Sequence, residues 1–114
     1  MDIVMPRGDL WPVAFTTYNQ DETDPINTFD EIYFTVKKRF TDRLFLFQKR
    51  LSKGEIFLNS ANNYQFSILP KDTDRLPFGE YVFDIELVRG DEFKQTFTGH
   101  LILTEEATYA ENES

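Results

Sequence analysis

The run Tyr81-Val82-Phe83-Asp84-Ile85-Glu86-Leu87 places a large apolar side chain at every second position and sets Asp84 and Glu86 between them. Strand side chains point alternately to two faces, so such a run buries one row and wets the other. A helix would scatter the same residues around its circumference. The period of two recurs along the chain. Trp11, Val13 and Phe15 alternate with Leu10, Pro12, Ala14 and Thr16, and Pro12 assigns that strand to a sheet edge or gives it an irregular start. Ile32, Phe34 and Val36 oppose Tyr33, Thr35 and Lys37, while Tyr64, Phe66 and Ile68 form a further row. Leu44 to Leu51 is apolar on both faces at its start, Glu55 to Leu58 is short, and Phe93 to Leu103 supplies the last strand.

Between these runs lie turn-forming segments: Gln20 to Thr28, Ser52-Lys53-Gly54, Asn59 to Asn63 and Arg89-Gly90-Asp91. About seven short strands at regular spacing predict an all-β fold, an immunoglobulin-like β-sandwich without the Cys-Trp-Cys signature, with a small barrel as runner-up. The expected organisation is one sandwich domain over residues 1–108 and an acidic flexible tail over 109–114.

The 114 residues are 40% hydrophobic and include 12 Phe, which excludes a disordered chain. With no cysteine, disulfides and thiolate metal sites are excluded. A net charge of -8 argues against binding to a phosphate backbone, so no nucleic-acid partner is expected. No apolar run is long enough for a bilayer, and "MDIVMPRGDLW" lacks the pattern of a signal peptide, so neither membrane insertion nor secretion is expected. Charge is unevenly placed: residues 21–31 are acidic and 37–53 basic. This is either an ordinary solvated surface or a pair of poles suited to head-to-tail contact between copies.

No constellation in the chain demands a reaction. Arg7-Gly8-Asp9 matches an adhesive tripeptide, but Gly8 and Asp9 more simply turn the chain into the strand that follows. Asp84 and Glu86 share one strand face, as a hydrolase pair would, yet solvent-facing strand carboxylates are far commoner. Asp72 and Asp74 lack the Gly and distal Glu of a calcium loop, and His100 is the lone histidine. Asn112-Glu113-Ser114 matches a glycosylation acceptor without a secretion signal to give it meaning. No catalytic residue, cofactor or metal is therefore expected, and the chain is read as a non-enzyme. If Leu44 to Leu51 is one strand, Phe45 and Phe47 share a face, and one row of that strand stays uncovered in a two-layer fold. Phe45, Phe47 and Trp11 are thus candidate partner contacts, with Trp11 able to anchor a sugar or to pack in the core.

The segment from Pro70 to Tyr81 forms a corner. Pro70, Asp72 and Thr73 predict a short helical turn near 70–76, with Asp72 or Thr73 capping backbone N–H groups. Leu76 is expected to plug the end of the sandwich and Gly79 to permit a sharp entry into the next strand. Tyr81 has the position of a tyrosine corner, its hydroxyl bonding back to this loop.

Gly8-Asp9, the Lys49 to Gly54 turn, the Pro70 to Leu76 segment, Gly79-x-Tyr81 leading into Asp84-Ile85, and the closing Gly99 strand together resemble the N-terminal domain of phage baseplate upper proteins. That resemblance spans roughly residues 7 to 108. It implies a non-enzymatic structural component of a phage or prophage tail, made in the bacterial cytoplasm and carried in the virion. Its implied partners are other tail or baseplate proteins, with self-association as a further expectation. The alternative function is a carbohydrate-binding module recognising host cell-surface glycans through Trp11 or exposed Tyr and Phe.

Overall fold

The computed structural model describes residues 1–16, 29–60, 63–91 and 93–105. In chain order the strands are β1 (Asp2–Pro6), β2 (Trp11–Thr16), β3 (Glu31–Lys37), β4 (Phe47–Arg50), β5 (Phe57–Ser60), β6 (Asn63–Ile68), β7 (Gly79–Arg89) and β8 (Phe93–Thr104). A 3-10 turn, Leu51–Lys53, follows β4, and one short helix, α1 (Pro70–Thr73), joins β6 to β7. Two sheets form: β1-β8-β7-β3-β4 and β2-β6-β5. The order β8-β7-β3-β4 opposite β2-β6-β5 is the G-F-C-C′ and B-E-D arrangement of an immunoglobulin-like sandwich. β1 adds a parallel strand along β8.

The alternating rows meet between the sheets. Ile32, Phe34 and Val36 from β3 and Tyr81, Phe83, Ile85 and Leu87 from β7 are buried, facing Phe66 and Ile68 of β6. Phe34 is the hub: its ring lies 4.4 Å from Phe66 across the sandwich and 5.2 Å from Phe83 on the neighbouring strand. Burying one such side chain contributes roughly 1.5–3 kcal/mol, so this cluster dominates stability. Pro12 sits where its missing N–H costs least, because β2 is an edge strand paired only with β6.

Two strand expectations are corrected. β1 had no assignment in the sequence; Ile3 and Met5 are too short a row to announce themselves, and only their burial beside Leu101 and Leu103 makes them a strand. The strand expected from Leu44 begins at Phe47 instead. Ahead of it the chain folds into a turn, in which Asp42 accepts from the Arg39 N–H at 3.1 Å and Lys37 donates to the Asp42 carbonyl at 2.8 Å. Phe45 and Phe47 therefore do not share a strand face: Phe47 is core, while Phe45 remains half exposed. The expected loop from Gln20 to Thr28, the tail over 109–114 and Asn112-Glu113-Ser114 lie outside the described residues.

The corner between β6 and β7 is closed from several sides. Asp72 accepts from the Leu69 N–H at 2.8 Å, and the buried Thr73 hydroxyl accepts from the Gly8 N–H at 2.8 Å. Leu76 packs against the core, Gly79 holds φ 133°, and the Tyr81 hydroxyl donates to the Pro77 carbonyl at 2.6 Å. Lys49 points inward from β4 beside Phe47, and its amine meets Asp72 at 2.7 Å. Arg7-Gly8-Asp9 is part of this same corner. The Arg7 guanidinium lies 4.2 Å from the Phe78 ring centroid, so the tripeptide does not project as an adhesive loop would.

Candidate functional site

The outer face of the five-stranded sheet carries the wet row that alternation assigns to β3 and β7. Antiparallel register sets Asp84 opposite Thr35 and Glu86 opposite Tyr33, and Thr35 in turn faces Gln48 on β4. Directly opposed side chains on one face come within contact range, so these residues make two rows running across the strands. The Gln48 amide donates to the Thr35 hydroxyl at 2.9 Å, fixing one row. Arg50 stacks on the Tyr33 ring at 4.9 Å and is held in turn by Glu31 at 2.9 Å.

The turn that displaces the start of β4 walls this floor. With Asp42 tied to Arg39 and Lys37, and the Leu46 N–H donating to the Val36 carbonyl at 2.7 Å, Arg43 and Phe45 are brought to the sheet. A groove of about 280 Å³ results, lined by Tyr33, Thr35, Lys37 and Gln48 from below, Arg43 and Phe45 from the loop, and Asp84 and Glu86 from β7. Two aromatic rings, two carboxylates, two cations and two neutral polar side chains thus converge on one open trough.

Its electrostatics are uneven. Partial burial pushes the Asp84 carboxyl above its usual range, the Glu86 charge adds to that, and Lys37 and Lys94 oppose it. Glu86 has a cation of its own, the Lys94 amine at 3.4 Å. Beside the groove, burial also raises Glu31, but donors from Ser52, Arg50 and Ile32 outweigh it and hold that carboxyl at about 2.

Of the residues singled out in the sequence as partner contacts, only Phe45 lines this groove. Phe47 is buried against Phe34, their centroids 6.2 Å apart, and Trp11 packs half-buried at the margin of the core on β2. Asp72, Thr73, Leu76, Gly79 and Tyr81 gather at the corner rather than in the groove. Asp84 and Glu86, set aside in the sequence as ordinary solvent-facing carboxylates, prove to be floor residues. Tyr33, Gln48 and Arg43 carried no sequence signal, because only strand register and the loop bring them together. A second cleft of about 430 Å³ opens beside Phe15, Ile85 and Phe97, where the inner-row Phe97 stays 44% exposed. His100 lies between Asp2 at 3.3 Å and Glu80 at 3.4 Å on the sheet surface. Among the described residues no group of three or more His, Asp or Glu side chains is placed to hold a metal ion. No described helix is long and apolar enough to cross a membrane.

The fold and groove define a small β-sandwich domain with one open, aromatic and polar face. No family model matches the chain, and no curated protein matches it. Among solved structures it is similar to part of the endo-beta-1,4-mannanase from Thermotoga petrophila, at 19% identity and a TM-score of 0.59. The match covers 93% of this chain but only 18% of the mannanase, so the chain spans a small part of that protein's length. A candidate glycoside hydrolase from Bacteroides vulgatus ATCC 8482 aligns more loosely, at 16% identity and a TM-score of 0.46, over 91% of this chain and 17% of that one.

These findings correct the resemblance to baseplate upper proteins and the tail-assembly role it implied. The shared fold lies in a segment of a mannanase. The motifs behind the resemblance explain the error. Lys49, Gly54, Asp72, Gly79 and Tyr81 are corner and turn residues, which any sandwich closing its end in this way would select. Tail or baseplate partners and a virion location were implied by that resemblance alone.

Proposed function

We propose that this chain is a non-catalytic carbohydrate-binding module that receives a glycan in the groove on the outer face of β3, β4 and β7. The observation that carries the reading is the convergence of Tyr33 and Phe45 with Asp84, Glu86, Gln48 and Arg43 in one open trough. Sugar rings present apolar C–H faces and a rim of hydroxyls. Aromatic rings suit the first, and carboxylate, amide and guanidinium groups suit the second. The likeness of the fold to a portion of an endo-beta-1,4-mannanase supports a setting in which such binding is useful. Catalysis is disfavoured by placement. Asp84 and Glu86 stand side by side on one flat face, whereas hydrolytic carboxylates flank a bond from two sides.

The test is a glycan array followed by affinity gel electrophoresis in soluble polysaccharides, with reducing-sugar release measured in parallel. Retardation in at least one glycan is expected, weakened at least about tenfold by Phe45→Ala and by Tyr33→Ala, with no sugar released. Absence of binding across the array, or binding untouched by both substitutions, would sink the proposal.

A further inference from the structure

Asp84 is a half-buried carboxylate on the floor of the groove. It lies mid-strand, with Thr35 opposite on β3 and Thr98 opposite on β8. Among the described residues its carboxylate takes part in no hydrogen bond or ion pair. The Thr35 hydroxyl accepts from Gln48, Glu86 is drawn to Lys94, and the Lys37 amine donates to the Asp42 carbonyl and reaches Asp84 only through its charge. A half-buried carboxylate without a protein donor is only partly hydrated, so a ligand hydroxyl that donates to it is favoured. Sugar hydroxyls do so without bringing charge, and a carboxylate accepts from them more strongly than a neutral oxygen does.

We infer that the groove selects uncharged glycans, whose hydroxyls donate to Asp84, and discriminates against chains bearing uronates. This rests on the glycan-binding reading above and names its ligand class. A uronate would set a like charge beside Asp84 and Glu86 where water is already partly excluded. Partial burial already disfavours ionised Asp84, so a second anion would raise that cost. Arg43 and Lys37 line the same groove and are the rival feature, since an acidic sugar would seek them. Lys37 keeps its charge while donating to the Asp42 carbonyl, so both cations would draw an anion, and Asp84 and Glu86 on the same floor offset them.

The experiment compares retardation of the whole chain in galactomannan, xylan and mixed-linkage β-glucan with that in polygalacturonate and alginate. The wild type and Asp84→Asn, Glu86→Gln and Arg43→Ala are run together, each checked for folding by its melting curve. Expected are retardation by at least one neutral polymer and by neither uronate polymer, and a loss of about tenfold or more in Asp84→Asn. Preference for polygalacturonate or alginate, abolished by Arg43→Ala, would overturn the inference while leaving glycan binding intact. Neutral-glycan binding that Asp84→Asn leaves unchanged would overturn it as well. Retardation by none of the polymers, together with a blank array, would remove both this inference and the binding proposal.

Discussion

Removal of the Asp72 carboxylate tests how the sandwich is closed. Lys49 is 5% exposed, and its side chain and that of Asp72 are both almost wholly covered where they meet at 2.7 Å. Asp72→Ala leaves the ammonium buried without a counter-charge and takes the acceptor from the Leu69 N–H. Breaking a buried pair on one side costs about 3–5 kcal/mol, of which the lost backbone hydrogen bond accounts for roughly 1. Against a total stability of about 5–15 kcal/mol this is a large fraction. At this chain length each kcal/mol moves the midpoint by about 4–8 °C, so the melting temperature falls by at least about 12 °C. Urea unfolding followed by circular dichroism measures the loss directly. The companion is Lys49→Met with Asp72→Ala, in which no charge is stranded and most of the stability returns. A cost under about 1 kcal/mol in the single substitution, or a double variant no more stable than the single one, would refute this account of the closure.

Three further outcomes follow from the same geometry. Asp84 has a folded pKa above its unfolded one, so its ionised form weakens the fold; stability rises as pH falls from the folded value toward 3.8, and Asp84→Asn should melt higher than wild type at pH 7 while binding glycan less well. A lower melting point in Asp84→Asn would contradict this, with Glu86, Lys37, Lys94 and Arg43 left unchanged around it. Glu31 runs the other way: its carboxyl sits at about 2 instead of 4.5, so its contribution is whole above 4.5 and lost as pH falls toward 2, and Glu31→Gln should flatten the acid limb of the stability–pH curve there. Gly99→Ala would drive a methyl group against the Met1 carbonyl and within 2.6 Å of the Phe83 ring, costing about 1–3 kcal/mol, with hydrogen exchange accelerated first in β1; unchanged protection of β1 would refute it.

The groove shows why folding and binding are legible to different degrees. The rows Ile32-Phe34-Val36 and Tyr81-Phe83-Ile85-Leu87 announce their own burial, because period-two alternation is a local property of the chain. The same alternation put Asp84 and Glu86 on the opposite face, but it could not say what stood beside them. Their neighbours Tyr33, Thr35 and Gln48 arrive through antiparallel register, and Phe45 through a turn that starts β4 three residues later than its apolar run implies. The corner divides in the same way. Pro70, Asp72 and Gly79 are turn signals in any context, whereas Lys49 looked like one more surface cation until the fold set its amine against Asp72.

Local chemistry by itself determined that this chain makes short alternating strands, turns sharply near Pro70 and buries an aromatic core, since these depend only on residues close in sequence. Tertiary structure alone decided that β1 joins β8, that Phe47 is core while Phe45 is not, and that two set-aside carboxylates floor a groove. The reason is that the period of two assigns each side chain a face, while pairing register and loop path assign it neighbours. A binding site is made of neighbours.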